Sequence, residues 1–87
     1  MIVEVRSSFQ RDAKKLPAQF QAQLAIIIEE LHNVSSLSEI SNCKKLTGFK
    51  NAFRIRSGNY RIGFVVIDNK IELVRVLSRK DIYRYFP

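Results

Sequence analysis

The chain has a single cysteine, Cys43, and a single histidine, His32. One cysteine excludes an internal disulfide and any cysteine-built metal cluster, and a reducing compartment is its simple setting. The lone histidine stands at the end of an apolar helical pattern, where a cation is favoured, and reads as a helix-end residue rather than a catalyst. Long apolar runs are missing too. None approaches the ~20 residues needed to cross a bilayer, and the first residues, MIVEVRSSF, lack the pattern of a secretory signal. A cytoplasmic protein without membrane contact, metal or cofactor is expected. No internal repeat or low-complexity segment interrupts the chain.

Acidic residues are scarce where they matter most. Residues 1–43 carry four Lys/Arg against five Asp/Glu, a net of −1, while residues 44–87 carry eleven against three, a net of +8. A positive field concentrated in one half of a small protein attracts polyanions and releases counterions on binding. An acidic protein partner is the plainer use of the same charge. The 87 residues make one domain, 1–87, and the 46% apolar content argues against disorder.

Ile2, Val3 and Val5 indicate a short first strand. Ser7 and Gln10 have the spacing of a capping box, and Phe9, Ala13 and Leu16 then share one helical face. Pro17 ends that helix and suits the first position of the next. There Phe20, Leu24, Ile27, Ile28 and Leu31 recur at helical spacing, with Ile26 apolar but off the stripe. Residues 33–42, rich in Ser and Asn, read as a loop. From Phe53 the period becomes two: AFRIR, RIGFVVI and KIELVRVL are strands joined by turns at Gly58-Asn59 and Asp68-Asn69. The expected fold is α+β, in the order β-α-α-β-β-β, with a helix hairpin on one face of a mainly antiparallel sheet and a short C-terminal helix. The first strand is expected to run antiparallel to a strand of the meander, at either edge.

Register can be argued further. A two-residue loop at Gly58-Asn59 pairs Ser57 with Tyr60, Arg56 with Arg61, Ile55 with Ile62, Arg54 with Gly63 and Phe53 with Phe64. The apolar pairs then share the helix-covered face. Arg54, Arg56 and Arg61 share the open one, with Gly63 leaving room beside Arg54. A slip of one residue would set an arginine against every core side chain. Like charges placed opposite one another cost stability, so a triad of them calls for a ligand. Val65, Ile67, Val74 and Val76 add apolar surface to the open face, a region suited to cover by a partner. Arg75 falls on core-side parity and is expected to snorkel at the strand end. Ser78 and Asp81 have the spacing of a helix cap, so a helix starting near Arg79 would stand Arg79 and Tyr83 one turn apart.

Three motifs, in order, resemble those of the RelE/ParE toxins across the whole chain. They are Lys45-Leu46-Thr47-Gly48, then Phe53-Arg54-Ile55-Arg56 with Gly58-Asn59-Tyr60-Arg61, and Arg79 to Tyr83 as the close. The resemblance implies a toxin that cleaves messenger RNA on the ribosome without a metal, the ribose 2′-hydroxyl attacking the adjacent phosphate. It also implies an active site of Arg54, Arg56, Arg61, Arg79 and Tyr83, and a cognate antitoxin as partner. Planar guanidinium forks match the oxygens of a pentavalent phosphorane, and a tyrosine can stack on a base. Lys44, Lys45, Lys80, Arg84 and Tyr85 surround these positions and are expected to bind the RNA. One departure matters: RelE-like ribonucleases carry lysines in the hairpin strand, where this chain has Arg54 and Arg56. Arginine cannot be deprotonated near neutrality, and a missing base costs about 10²–10⁴ in rate. Tyr83, Lys45 and Lys80 are the substitutes on hand. The alternative is a ParE-like protein that poisons DNA gyrase without catalysing a reaction.

Overall fold

The computed structural model describes residues 1–87. Its elements follow the expected order with one addition: β1 (Ile2–Val5), α1 (Ser7–Lys14), α2 (Ala18–Asn33), β2 (Cys43–Lys45), β3 (Ala52–Ser57), β4 (Tyr60–Ile67), β5 (Lys70–Ser78) and α3 (Ile82–Tyr85). The five strands form one sheet in the order β1-β5-β4-β3-β2. The β3–β4 ladder has the register that alternation dictates, from Phe53 opposite Phe64 to Ser57 opposite Tyr60. Gly58 has φ +57°, the left-handed conformation needed at the first position of this tight loop. Asp68 and Asn69 both have positive φ, as a two-residue loop with two left-handed centres requires, and both residue types tolerate it.

The added strand corrects the expected topology. Residues 43–45 pair with 53–55, placing β2 at the sheet edge. β1 is parallel to β5, Ile2 opposite Lys70 through Val5 opposite Leu73, not antiparallel to a meander strand. The two errors are one. Every element from β1 to β5 reverses the chain, so leaving out β2 removes one reversal and inverts the direction inferred for β5 relative to β1.

The helix hairpin covers one face. Phe9 of α1 and Leu24, Ile27 and Leu31 of α2 are buried with Ile55, Ile62, Phe64, Ile71, Leu73 and Val76 of the sheet. Phe53 and Phe64 stack at 5.3 Å between centroids, and Phe20 stacks on Tyr60 at 4.3 Å. Ser7 does not cap α1. Arg6 is the extended residue before that helix because its N–H still bonds the Leu73 carbonyl, continuing the β1 ladder and drawing Ser7 into the first turn. A capping box does form at Ser36 and Glu39, around a single 3₁₀ turn.

β5 carries a bulge: Phe64 pairs with Leu73 but Gly63 with Arg75. The extra residue moves Val76 into the main core, correcting the expected open-face position. β5 also outruns β1, and α1 lies along the free edge. Asp12 Oδ2 accepts the Val76 N–H at 3.1 Å, and Ser8 Oγ donates to the Val74 carbonyl at 2.6 Å. Arg75 does not snorkel. It donates twice to the buried Asp12, from Nε at 2.7 Å and Nη2 at 3.1 Å.

The second face is not bare either. Ile82 and Phe86 fold back across it and bury themselves with Ala52, with Leu46, Val65, Val74 and Leu77 packed around them. Val65 and Val74, assigned above to a partner's footprint, are thus covered by the chain's own C-terminus, while Ile67 stays exposed. Gly63 makes this possible: a Cβ there would lie 2.6 Å from the Phe86 ring. Its space serves Phe86 rather than Arg54. α3 begins at Ile82, later than expected; Ser78 Oγ bonds Asp81 Oδ2 at 3.2 Å, but in the preceding turn, with no helix cap.

Candidate functional site

Beyond the patch covered by Phe86, the second face ends in cations. Arg54 and Arg56 project from β3 and Arg61 from β4, paired Arg54 with Gly63 and Arg56 with Arg61. Arg79 follows the last residue of β5, its N–H bonded to the Asn59 carbonyl at 2.9 Å. This ties the start of the C-terminal turn to the β3–β4 loop. Arg61 Nη1 donates to the carbonyls of Gly58 at 2.8 Å and Tyr60 at 3.0 Å, which steers its guanidinium along the hairpin end. Desolvation, then the charge of Arg54, lowers the Arg61 pKa below its ordinary value; Arg56 and Arg79 push the same way, and Tyr83 opposes them. The other four expected site residues therefore lie within electrostatic reach of Arg61.

None of the five is in an ion pair. The three ion pairs present, Arg6–Glu72, Lys70–Glu4 and Arg75–Asp12, all lie on the β1–β5 side. Arg54 is the most confined guanidinium of the group. Its Nε is buried with no hydrogen-bond partner, and Nη1 is 3.4 Å from the Asn42 carbonyl, near the limit of a bond. A cavity of about 250 Å³ opens beside it, lined by Lys44, Lys45, Leu46, Thr47, Arg54 and Tyr83. Lys44 stands opposite Arg54 in the ladder, a neighbour supplied by the strand that alternation did not reveal.

Other expected contacts are placed elsewhere. Tyr85 turns away, its ring 5.5 Å from the Arg75 guanidinium on the α1 side. Arg84 is exposed on α3, and Lys80 is exposed in the turn before it, neither lining the cavity. Tyr83 and Arg79 both act electrostatically on Arg61, but not as a helical pair, since only Tyr83 belongs to α3. His32 lies in the last turn of α2. Burial pushes the Cys43 thiol up, against the opposing charge of Arg54, which disfavours the nucleophilic thiolate. No three His, Cys, Asp or Glu side chains are grouped as a metal site would need.

The largest cavity, about 520 Å³, lies between α2 and the residues around Ile40, with Glu30 and Glu39 in its wall beside Arg56. Its carboxylates repel a phosphate chain, so size does not outweigh charge here. The arginine cluster is the better anion site.

Comparisons with known proteins show the family of the chain and its fold. The family model of the ParE toxin of the type II toxin–antitoxin system matches residues 3–83. Toxin RelE3 of Methanocaldococcus jannaschii is 43% identical over 88 residues, spanning 100% of both chains. Among solved structures, a chain of the RelB–RelE antitoxin–toxin complex from Methanococcus jannaschii superposes with a TM-score of 0.83 at 42% identity, covering 97% of this chain and 99% of that one. A chain of the RelBE2 toxin–antitoxin complex from Mycobacterium tuberculosis gives 0.63 at 26% identity, over 90% and 96%. With a whole-length match in sequence and in fold, this chain belongs to the RelE/ParE family and is a toxin of a type II toxin–antitoxin system.

Proposed function

We propose that the toxin is a metal-independent endoribonuclease that cleaves messenger RNA on the ribosome, in the cytoplasm. The observation that carries this reading is the convergence of Arg54, Arg56, Arg61 and Arg79 with Tyr83, with no carboxylate among them in an ion pair. Such a cluster needs a polyanion. In the reaction the ribose 2′-oxygen loses its proton and attacks the adjacent phosphorus. The bond from phosphorus to the 5′-oxygen breaks, and that oxygen takes a proton as it leaves, giving a 2′,3′-cyclic phosphate and a 5′-hydroxyl. Guanidinium groups fixed before the charge develops stabilise the phosphorane, a term typically worth 10²–10³ in rate per donor. The guanidinium end of Arg54, weakly held at 3.4 Å from the Asn42 carbonyl and bordering the cavity, is free to turn to a phosphate oxygen. Of the substitutes for a base expected from the sequence, Lys45 and Tyr83 share the Arg54 cavity, with Lys44 beside them, and are suited to carry the proton that arginine cannot accept; Lys80 does not share it. Primer extension on RNA from induced cells, and cleavage in EDTA followed by end-group analysis, test the reading. Intact messages in growth-arrested cells would sink it.

A second reading is favoured by the match to the ParE model and by arginines where a base is expected: inhibition of DNA gyrase with no chemistry of the toxin's own. Gyrase cleavage complexes accumulating in arrested cells, with messages uncut, would support it.

Under either reading the partner is a cognate antitoxin, as in the RelB–RelE complexes to which the fold is similar. An acidic, amphipathic segment complements the unpaired arginines. Ile26, 54% exposed on the outer side of α2, is an apolar contact for it. Association is expected to be fast and to slow steeply as salt rises.

A further inference from the structure

The loop between β2 and β3 carries an aromatic ring that neither the core nor the arginine cluster uses. Phe49 is 48% exposed. Lys45 and Lys50 flank it, and both are exposed and free of ion pairs. These residues line a shallow cavity with Leu46, Thr47 and Gly48. Lys45, Leu46 and Thr47 also line the cavity of Arg54 and Tyr83. The two hollows therefore adjoin, one beside the arginines and one on the loop, with an exposed aromatic ring in the wall of each.

The loop is held firmly enough to act as a platform. Its ends are closed by a 2.8 Å bond from the Leu46 N–H to the Ala52 carbonyl, and by a 3.0 Å bond from the Val66 N–H to the Asn51 carbonyl. Leu46 is packed against the Ile82–Phe86 cluster. Gly48 has φ +87°, a backbone turn that other residues enter at a cost, and it presents Phe49 outward. An exposed ring on an anchored loop, beside unpaired lysines and a phosphate site, is the combination by which single-stranded nucleic acid is held: bases stack on the ring and the backbone tracks the cations.

We propose that Phe49 is a base-stacking platform for single-stranded RNA, with Lys50 on a flanking phosphate, one or more nucleotides away from the phosphate held by the arginines. This rests on the RNA reading of the arginine cluster and adds a subsite to it. The sequence contains no tryptophan, so F49W in the full-length toxin places a sole indole on the platform. The probe is a single-stranded 2′-O-methyl oligoribonucleotide of eight nucleotides, which cannot be cut. On binding, the indole fluorescence is expected to be quenched, whereas an abasic strand of equal charge binds without quenching. By anisotropy, F49A is expected to bind the same strand about tenfold more weakly than wild type with an unchanged melting temperature. Binding that leaves the indole unquenched, or wild-type affinity in F49A, overturns the platform while leaving the arginine site standing. Quenching and weakened F49A binding in a toxin that cuts no message keep the platform and remove the ribonuclease reading. Wild-type toxin that binds no RNA overturns both.

Discussion

The two faces of this sheet are built from the same strands and obey opposite rules. On the helix side, Ile62, Phe64, Ile71 and Leu73 are fully buried, and each polar group is paired or kept away. On the other side an apolar patch under Phe86 gives way to guanidiniums with no counter-ion. One face is optimised for folding. The other is left electrostatically unfinished, with like charges opposed at Arg56 and Arg61 where a purely structural design would alternate them. Such a local breach of folding rules marks a functional surface.

The contrast predicts where each kind of damage falls. Phe64→Ala strikes the finished face and should cost about 3–5 kcal/mol of stability, seen as a large drop in denaturation midpoint. In an 87-residue domain that can prevent folding outright. Arg61→Ala strikes the unfinished face. Cleavage should fall at least about 10²–10³-fold, while the unfolding free energy stays within about 0.5 kcal/mol of wild type. A fully toxic Arg61→Ala would remove Arg61 from the site; an unfolded one would erase the distinction between the faces. Asp12→Ala leaves Arg75 and the Val76 N–H without their acceptor, and should destabilise the protein by about 2–3 kcal/mol. Gly63→Ala pushes against the Phe86 ring, with an expected cost of about 1–3 kcal/mol confined to the C-terminal segment. Faster hydrogen exchange at residues 82–86 with an unaltered helix face would show that confinement. The smallest effect separates two uses of one side chain. Tyr83→Phe keeps the ring, so undiminished cleavage would limit Tyr83 to stacking, and a changed pH–rate profile would assign its hydroxyl to proton transfer.

Alternation made the β3–β4 register legible in the sequence, and with it the placing of Arg54, Arg56 and Arg61, because a period of two leaves one choice once a face is buried. Helical spacing likewise revealed Leu24, Ile27 and Leu31. What escaped depends on contacts distant in sequence. β2 is three residues long, two of them lysines, too short to display a period, and the direction of β1 was lost with it. The bulge that turns Val76 inward has no local signal, since Val74-Arg75-Val76 alternates regularly. Nor does Gly63 announce Phe86, twenty-three positions later, as the ring it admits. Tyr85 was placed among the RNA contacts by its sequence neighbours, but α3 aims it at Arg75.

The position of β5 between β1 and β4 bears on the order of events during synthesis. The first strand to be made has as its sole neighbour the last, Ile2 waiting for Lys70, so the sheet cannot be laid down in the order of translation. Contacts so far apart in sequence make folding slow, because the closure entropy is met before they form. Arg79, Tyr83 and the Phe86 anchor are made later still. A growing chain therefore lacks both the strand that joins β1 to the rest of the sheet and the closing wall of its arginine cluster until these late segments are made.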